Sequence, residues 1–198
     1  MMRPLVVIIC MIVVLAMPDT ASAHSGFAGA TGFTGGLLHP LLVLAHILVV
    51  AALGLLIGQQ APRWGRAVPI VYIIAMIVGL GAIALAAVVT LAEDILLGLA
   101  AVAGLLVALA RPLPRWIGWL LSGAVGLALG FDSPPDAIPL TQAYVTMFGT
   151  ALGAAVILLA LVQVASRLRR DWQRISMRIF GSWIAASAIL VLVLRLAR

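Results

Sequence analysis

Long apolar runs alternate with short polar joints along the chain. Six such runs follow an N-terminal leader, and prolines stand at several of the joints between them. A helix needs about 20 apolar residues to cross a bilayer, and prolines mark places where helices begin or end. The pattern therefore predicts an all-α integral membrane bundle of six transmembrane helices. Their predicted ranges are 37–56, 68–89, 95–109, 116–129, 143–164 and 179–194.

The leader, residues 1–23, has the pattern of a cleavable bacterial signal peptide. Arg3 precedes a short apolar stretch, and the small residues from Ala21 to Ala23 suit a signal peptidase. The apolar stretch is shorter than the roughly 20 residues of a spanning helix, although an uncleaved anchor is the alternative. We predict cleavage after Ala23, which leaves residues 24–198 as a single six-helix membrane domain.

Composition supports a membrane protein and narrows the possible functions. Hydrophobic residues make up 65% of the 198 positions and charged residues only 9%, whereas about a quarter of a soluble domain is charged. The basic residues are arginines that fall mostly between apolar runs, which indicates topology rather than nucleic-acid binding. The single cysteine, Cys10, lies in the leader, so we expect no disulfide or thiolate site in the mature chain. With no nucleophile–base pair or phosphate loop in the sequence, we expect no enzymatic activity.

Charge predicts the orientation of the bundle. Arginines occupy the joints after the first, third and fifth predicted helices, while the joints after the second and fourth carry carboxylates. Under the positive-inside rule, the arginine joints face the cytoplasm. We therefore predict a multi-pass protein of the bacterial inner membrane, with its mature N-terminus and acidic joints in the periplasm. The arginines within residues 195–198 are a small exception to this bias.

Tryptophans and arginines cluster near the predicted helix ends. All five tryptophans lie there, and indole rings favour the membrane interface. The joint at residues 166–178 contains five arginines together with Trp172. We interpret it as a topology anchor. The alternatives are an interfacial helix on anionic lipid and a docking site for a cytoplasmic partner.

All three histidines of the chain, His24, His39 and His46, lie in one short stretch. Histidine inside a membrane segment is costly unless it has a partner, and imidazole is a common metal ligand. His39 and His46 are seven residues apart, so in one straight helix they share a face and are separated by roughly 10 Å along the axis. We expect two successive metal stations, or one that other segments complete. The alternatives are an interfacial His39 and a buried, hydrogen-bonded His46.

His24 becomes the N-terminal residue if the leader is cleaved as predicted. Its amino nitrogen and imidazole can then bind the same ion, an arrangement that suits copper or nickel. The glycine-rich segment at residues 25–36 is long enough to fold this terminus over the periplasmic mouth of the bundle. The alternative is that His24 is only the residue left by cleavage and that the segment is a loose tether.

The layout resembles the HupE/UreJ family. A signal peptide that ends just before a histidine, a glycine-rich segment, a His-Pro motif and six predicted helices together carry the resemblance, which is specific over residues 24–60. The family signature is a His-Pro-Leu sequence followed by a glycine and then an Asp-His pair. Four positions match it: His39, Pro40, Leu41 and His46. Val43 stands in place of the glycine, and Ala45 stands in place of the aspartate.

The resemblance implies further site residues and also shows departures. Glu93 stands where the family tends to have a glutamate at the opening of its third helix. The family's second histidine motif, before the fifth helix, has no counterpart here, and residues 130–136 offer only Asp132 and Asp136. These carboxylates are candidate replacements as harder oxygen ligands. The simpler interpretation is two solvated carboxylates in a proline-rich turn.

The fifth predicted helix carries a stripe of polar and small residues. Gln142, Thr146, Thr150 and Gly153 recur at spacings of three and four. Such a stripe should face the bundle interior, where small residues let helices pack closely. We expect packing to be its main role. A pore lined by Gln142 and Thr146 is the alternative.

Together these observations predict a membrane protein that handles a divalent transition metal. The resemblance implies a nickel-type permease, with nickel or alternatively copper or cobalt as the ion. We expect His24 and the acidic joints to capture the ion and His39 and His46 to receive it. Because the imidazoles must be neutral to bind, uptake should fall at acidic pH.

The second hypothesis is a non-transporting accessory protein for a membrane-bound metalloenzyme or its maturation proteins. Transport of another small solute through the same scaffold is the third.

Overall fold

The computed structural model describes residues 32–84, 91–133 and 140–197, and the elements within these ranges are α-helices without strands. The all-α prediction is therefore confirmed for this part of the chain. The predicted signal peptide and His24 lie outside the described residues, as does Asp136. The seven helices are α1 (Gly32–Leu42), α2 (Leu44–Trp64), α3 (Ala67–Ala84), α4 (Ala92–Leu109), α5 (Arg115–Phe131), α6 (Leu140–Arg167) and α7 (Asp171–Leu196).

Helices α2 to α7 overlap the six predicted ranges. Four of them, α2, α4, α6 and α7, are long and apolar enough to cross a membrane. Helix α5 and the Ala67–Ala82 part of α3 are apolar but shorter. The chain is thus a multi-pass membrane protein by the length and composition of its helices, while six complete spans remain a prediction.

The first predicted helix, at 37–56, was wrong as a single element. Helix α1 ends at Leu42, Val43 is extended with φ −94° and ψ 119°, and α2 begins at Leu44. Pro40 lies in the last turn of α1 and has no amide hydrogen to donate to the carbonyl four residues earlier. A β-branched valine readily takes the extended conformation that follows. The chain therefore does not keep the geometry of one straight helix between the two histidines.

Glycines allow α1 and α2 to pack closely along α6. A Cβ atom at Gly36 would overlap the carbonyl of Thr146, and one at Gly149 would overlap the carbonyl of Phe33. Farther along the same helices, Gly54 meets Leu161. Residues farther along α1 and α2 thus meet residues farther along α6, so α6 runs parallel to both helices. The expected packing role of small residues on the fifth predicted helix is confirmed.

Two more helix pairs are held by the same kind of contact. In the parallel pair α3 and α5, Gly126 and Gly130 lie against the backbone at Tyr72 and Met76. In the pair α4 and α7, Gly104 lies against the carbonyl of Gly181. Bare backbone at these positions lets the helix axes approach closely, which is how membrane helices gain van der Waals contact.

The helix directions collect charge at two opposite ends of the bundle. The basic end contains the joints between α2 and α3, α4 and α5, and α6 and α7. There the Arg115 guanidinium donates to the Arg63 carbonyl at 3.0 Å, and Arg178 donates to the Ala108 carbonyl at 2.9 Å. The acidic end contains the start of α4 and the end of α5. This separation agrees with the charge pattern of the sequence, while the side of the membrane that each end faces remains a prediction.

Trp64 was expected at the membrane interface but lies inside the protein. It is fully buried, its ring packs over Gly118, and its indole N–H donates to the Leu113 carbonyl at 3.2 Å. Gln60, one turn earlier, donates to the Arg111 carbonyl at 2.6 Å. The end of α2 therefore holds the joint between α4 and α5. The other four tryptophans are exposed on the surface of the chain.

Candidate metal centre

The centre of the candidate site is a buried imidazole that faces a carboxylate. His46 lies in the first turn of α2 and has no exposed surface. Its Nε2 atom is 3.0 Å from Oδ2 of Asp132. Asp132 directly follows α5, and its backbone amide donates to the Ala128 carbonyl at 2.9 Å. Because the Asp132 side chain keeps 21% of its surface exposed, the pair connects the protein interior with its surface.

This contact determines which nitrogen of His46 is available to a ligand. An ionised carboxylate only accepts hydrogen bonds, so a neutral imidazole facing it carries its hydrogen on Nε2 and a lone pair on Nδ1. Nδ1 is buried and has no hydrogen-bond partner within the described ranges. A buried polar atom without a partner is costly. Metal-binding histidines typically donate their other ring N–H to a carboxylate or carbonyl. The Nδ1 lone pair is therefore the natural ligand position.

The imidazole ring of His39 lies beside that of His46. The ring centroids are 5.1 Å apart, and the ring planes meet at 66°. The roughly 10 Å expected from the sequence is a separation along the axis of one straight helix, and the side chains bring the rings closer together than that figure. Metal–nitrogen bonds of about 2.0–2.1 Å place each ring centre about 3.2 Å from the ion, so two imidazoles at a tetrahedral angle stand about 5 Å apart. The observed spacing fits two rings on one ion, and it equally fits a direct edge-to-face contact between the rings.

The described residues supply only part of a coordination sphere. Within them, no group of three or more histidine, cysteine, aspartate or glutamate side chains is arranged to hold a metal ion. The site has two imidazoles and one carboxylate that already pairs with His46. The other predicted ligands, His24 and Asp136, lie outside the described residues.

Glu93 is at the acidic end but is engaged in a different contact. Its carboxylate is 2.6 Å from the Arg195 guanidinium, and Asp94 accepts a hydrogen bond from the same arginine at 2.9 Å. Helices α4 and α7 are antiparallel, which brings the C-terminal arginine to the start of α4. This pairing explains why Arg195 departs from the charge bias without leaving an isolated positive charge. The sequence suggested Arg195 only as an exception and gave no partner for it.

Gln142 and Thr146, the candidate pore residues, lie near the start of α6. Gln142 is exposed, and the Thr146 hydroxyl donates to the Gln142 carbonyl at 2.9 Å. The backbone of Thr146 meets Gly36, three residues before His39. Thr146 thus belongs to the packing contact between α6 and the helix that carries His39. A role in lining a path remains a prediction.

The comparisons with known proteins identify one family. The family described as HupE / UreJ protein matches residues 12–191 of the chain. No curated protein and no solved structure matches the chain.

Proposed function

The chain belongs to the HupE/UreJ family, and on that premise we propose that it is a nickel-type permease that takes up a divalent transition metal at its acidic end. The family relates to nickel or cobalt handling, in either a transport or an accessory role. Under the positive-inside rule the acidic end faces the periplasm. The ion then enters the bundle from outside the cell. The proposal includes no catalytic step.

The arrangement around His46 is the observation that carries this proposal. One imidazole nitrogen is held by Asp132, the other is buried with no hydrogen-bond partner in the described part of the chain, and a second imidazole lies at ligand spacing. Nitrogen donors of this kind suit nickel, copper and cobalt better than magnesium or calcium. His39 and His46 are the proposed ligands, and Asp132 positions His46.

Other residues extend the proposed site. His24, as the N-terminal residue after cleavage, and Asp136 are proposed as further ligands at the mouth. Gln142 and Thr146 are proposed to border the entry because the backbone of Thr146 packs against Gly36 of α1 and Gln142 lies one turn earlier on α6. Glu93 could bind the ion only after its carboxylate leaves the Arg195 guanidinium, with which it now forms an ion pair.

Metal accumulation in cells tests the transport proposal. Cells that express the chain without an N-terminal tag should accumulate radioactive nickel, and His46→Ala should abolish the increase at equal protein level. Asp94→Asn is the matched control, because it removes a carboxylate at the same end that faces Arg195 rather than a histidine. Equal accumulation by His46→Ala and the unchanged chain would refute transport through this site.

The accessory role is the second candidate function. It is favoured by the incomplete ligand set within the described residues. If accumulation is unchanged by loss of the chain while a partner metalloenzyme fails to mature, the accessory role is correct. Loss of both accumulation and maturation would instead support transport.

A further inference from the structure

A groove opens at the basic end of the bundle, far from the histidines. It lies between α2, α3 and α6 and has a volume of about 670 Å³, within the range of about 300–1,000 Å³ that is typical of ligand sites. Ile57, which is almost fully buried, lies in its lining. Pro69, Ile73, Leu159 and Val162 supply further apolar lining. The groove therefore suits an apolar ligand of substantial length.

The outer part of the groove borders the surface that faces lipid. Ile70 and Leu159, one from each side, are 52% and 45% exposed. Helices of a multi-pass protein turn such exposed apolar residues toward the hydrocarbon core of the bilayer. A lipid chain can therefore enter the groove from the side without crossing water.

The polar groups of the groove include a cation. Arg66, in the short joint between α2 and α3, is exposed and belongs to the groove lining together with Gln163 and Ser166. Its guanidinium has no ion pair or hydrogen bond within the described ranges, unlike those of Arg115 and Arg178. An arginine at this position has its donors available to a phosphate.

We propose that this groove binds one anionic phospholipid, with an acyl chain along the apolar lining and the phosphate at Arg66. Charge complementarity selects the occupant: the groove combines an available guanidinium with the arginines of the basic end, and such basic sites between membrane helices bind anionic headgroups. A free phosphate would leave the apolar volume empty, and a zwitterionic lipid would gain less from the surrounding positive charge. The lipid contacts α2, α3 and α6 and stabilises their arrangement independently of any metal.

Thermal unfolding of the full chain in mild detergent tests the proposal. Phosphatidylglycerol should raise Tm by about 3 °C or more, and phosphatidylcholine with the same acyl chains should raise it less. Arg66→Gln should remove the difference between the two lipids. Arg174→Gln is the matched control, since Arg174 is an exposed arginine of the basic end outside the groove, and it should keep the difference. Ala61→Phe, which fills the groove, should weaken the response to both lipids.

Several outcomes would overturn the lipid site. Equal stabilisation by the two lipids would show that the groove makes only non-specific contact with lipid and would refute a site for an anionic headgroup. An undiminished preference in Arg66→Gln, or an equal loss in Arg174→Gln, would show that Arg66 is not the selecting group. Stabilisation by glycerol phosphate alone would indicate a site for soluble phosphates.

Photo-crosslinking identifies the occupant directly. Benzoylphenylalanine in place of Ile70, activated in membranes, should give an adduct with the mass of a phospholipid. A crosslink to residues 1–31 or to a second copy of the chain would show that protein fills the groove and would refute the proposal.

Discussion

The His46 imidazole and the Asp132 carboxylate meet at 3.0 Å although they lie 86 residues apart in the chain. The contact joins the start of α2 to the end of α5. It also leaves the Nδ1 atom of His46 as the ring nitrogen that can accept a ligand. The metal hypothesis therefore depends on a contact between two segments that are distant in the sequence.

Loss of the Asp132 carboxylate should weaken metal binding without abolishing it. Partners that orient a ligating histidine typically contribute about 10–100-fold to metal affinity, so Asp132→Asn should lower nickel affinity by roughly that factor. Calorimetric titration of the purified, tag-free protein measures the change. Asp94→Asn, at the same end, should leave the affinity unchanged. An unaltered affinity in Asp132→Asn would contradict the positioning role.

The two histidines should act as one binding unit. If His39 and His46 bind the same ion, either His→Ala substitution removes the site, and the double variant should bind no more weakly than either single variant. If each histidine belonged to a separate site, the losses of binding free energy in the two single variants would add up in the double variant. A double-mutant cycle of nickel affinities separates these outcomes, and additivity would refute the shared site suggested by the 5.1 Å ring separation.

Acidic pH should weaken metal binding. A protonated imidazole carries hydrogens on both nitrogens and has no lone pair for a metal, so metal and proton compete for Nδ1 of His46. Nickel affinity should be lower at about pH 5.5 than at about pH 7.5. Asp94→Asn, which leaves both imidazoles in place, should show the same dependence on pH as the unchanged chain. Equal affinity at both pH values would argue against imidazole ligands.

Contact between α1 and α6 should be sensitive to a single methyl group. At Gly36 a Cβ would overlap the Thr146 carbonyl, so Gly36→Ala should destabilise the protein by roughly 1–3 kcal/mol. Gly98 in α4 has no neighbour within 4 Å of a Cβ, and Gly98→Ala should be neutral or stabilise by about 0.5–1 kcal/mol.

Thermal unfolding of both glycine variants in detergent checks this contrast. A tolerated alanine at Gly36 would mean that α1 is not held in the close contact described.

The sequence predicted the helices better than their interruptions. Apolar runs alone locate α2 to α7. A segment inside the membrane must hydrogen-bond its own backbone N–H and C=O groups, so an apolar run of this length is expected to form a helix. The interruption at Val43 was missed because Pro40 is equally compatible with a helix start. The close contact of Gly36 and Gly149 with α6 depends on packing between distant segments, which apolar periodicity does not encode.

The candidate site was predicted residue by residue but not as an arrangement. His39, His46 and Asp132 were named from their chemistry, yet the Asp132–His46 pair requires the relative register of two helices. Trp64 shows the same limit: its position at a helix end suggested the interface, whereas Gly118 on another helix provides the space that buries it. Contacts between distant segments have no local signature in one sequence.

The extended conformation of Val43 gives the two imidazoles different neighbours. His39 belongs to α1, whose glycine contacts are with α6, whereas His46 is bound to the end of α5 through Asp132. An ion held by both rings would therefore link α1 to the end of α5 through His46 and Asp132. Loss of the ion would leave this end of the bundle held by the packing of α1 and α2 on α6 and by the Asp132–His46 contact.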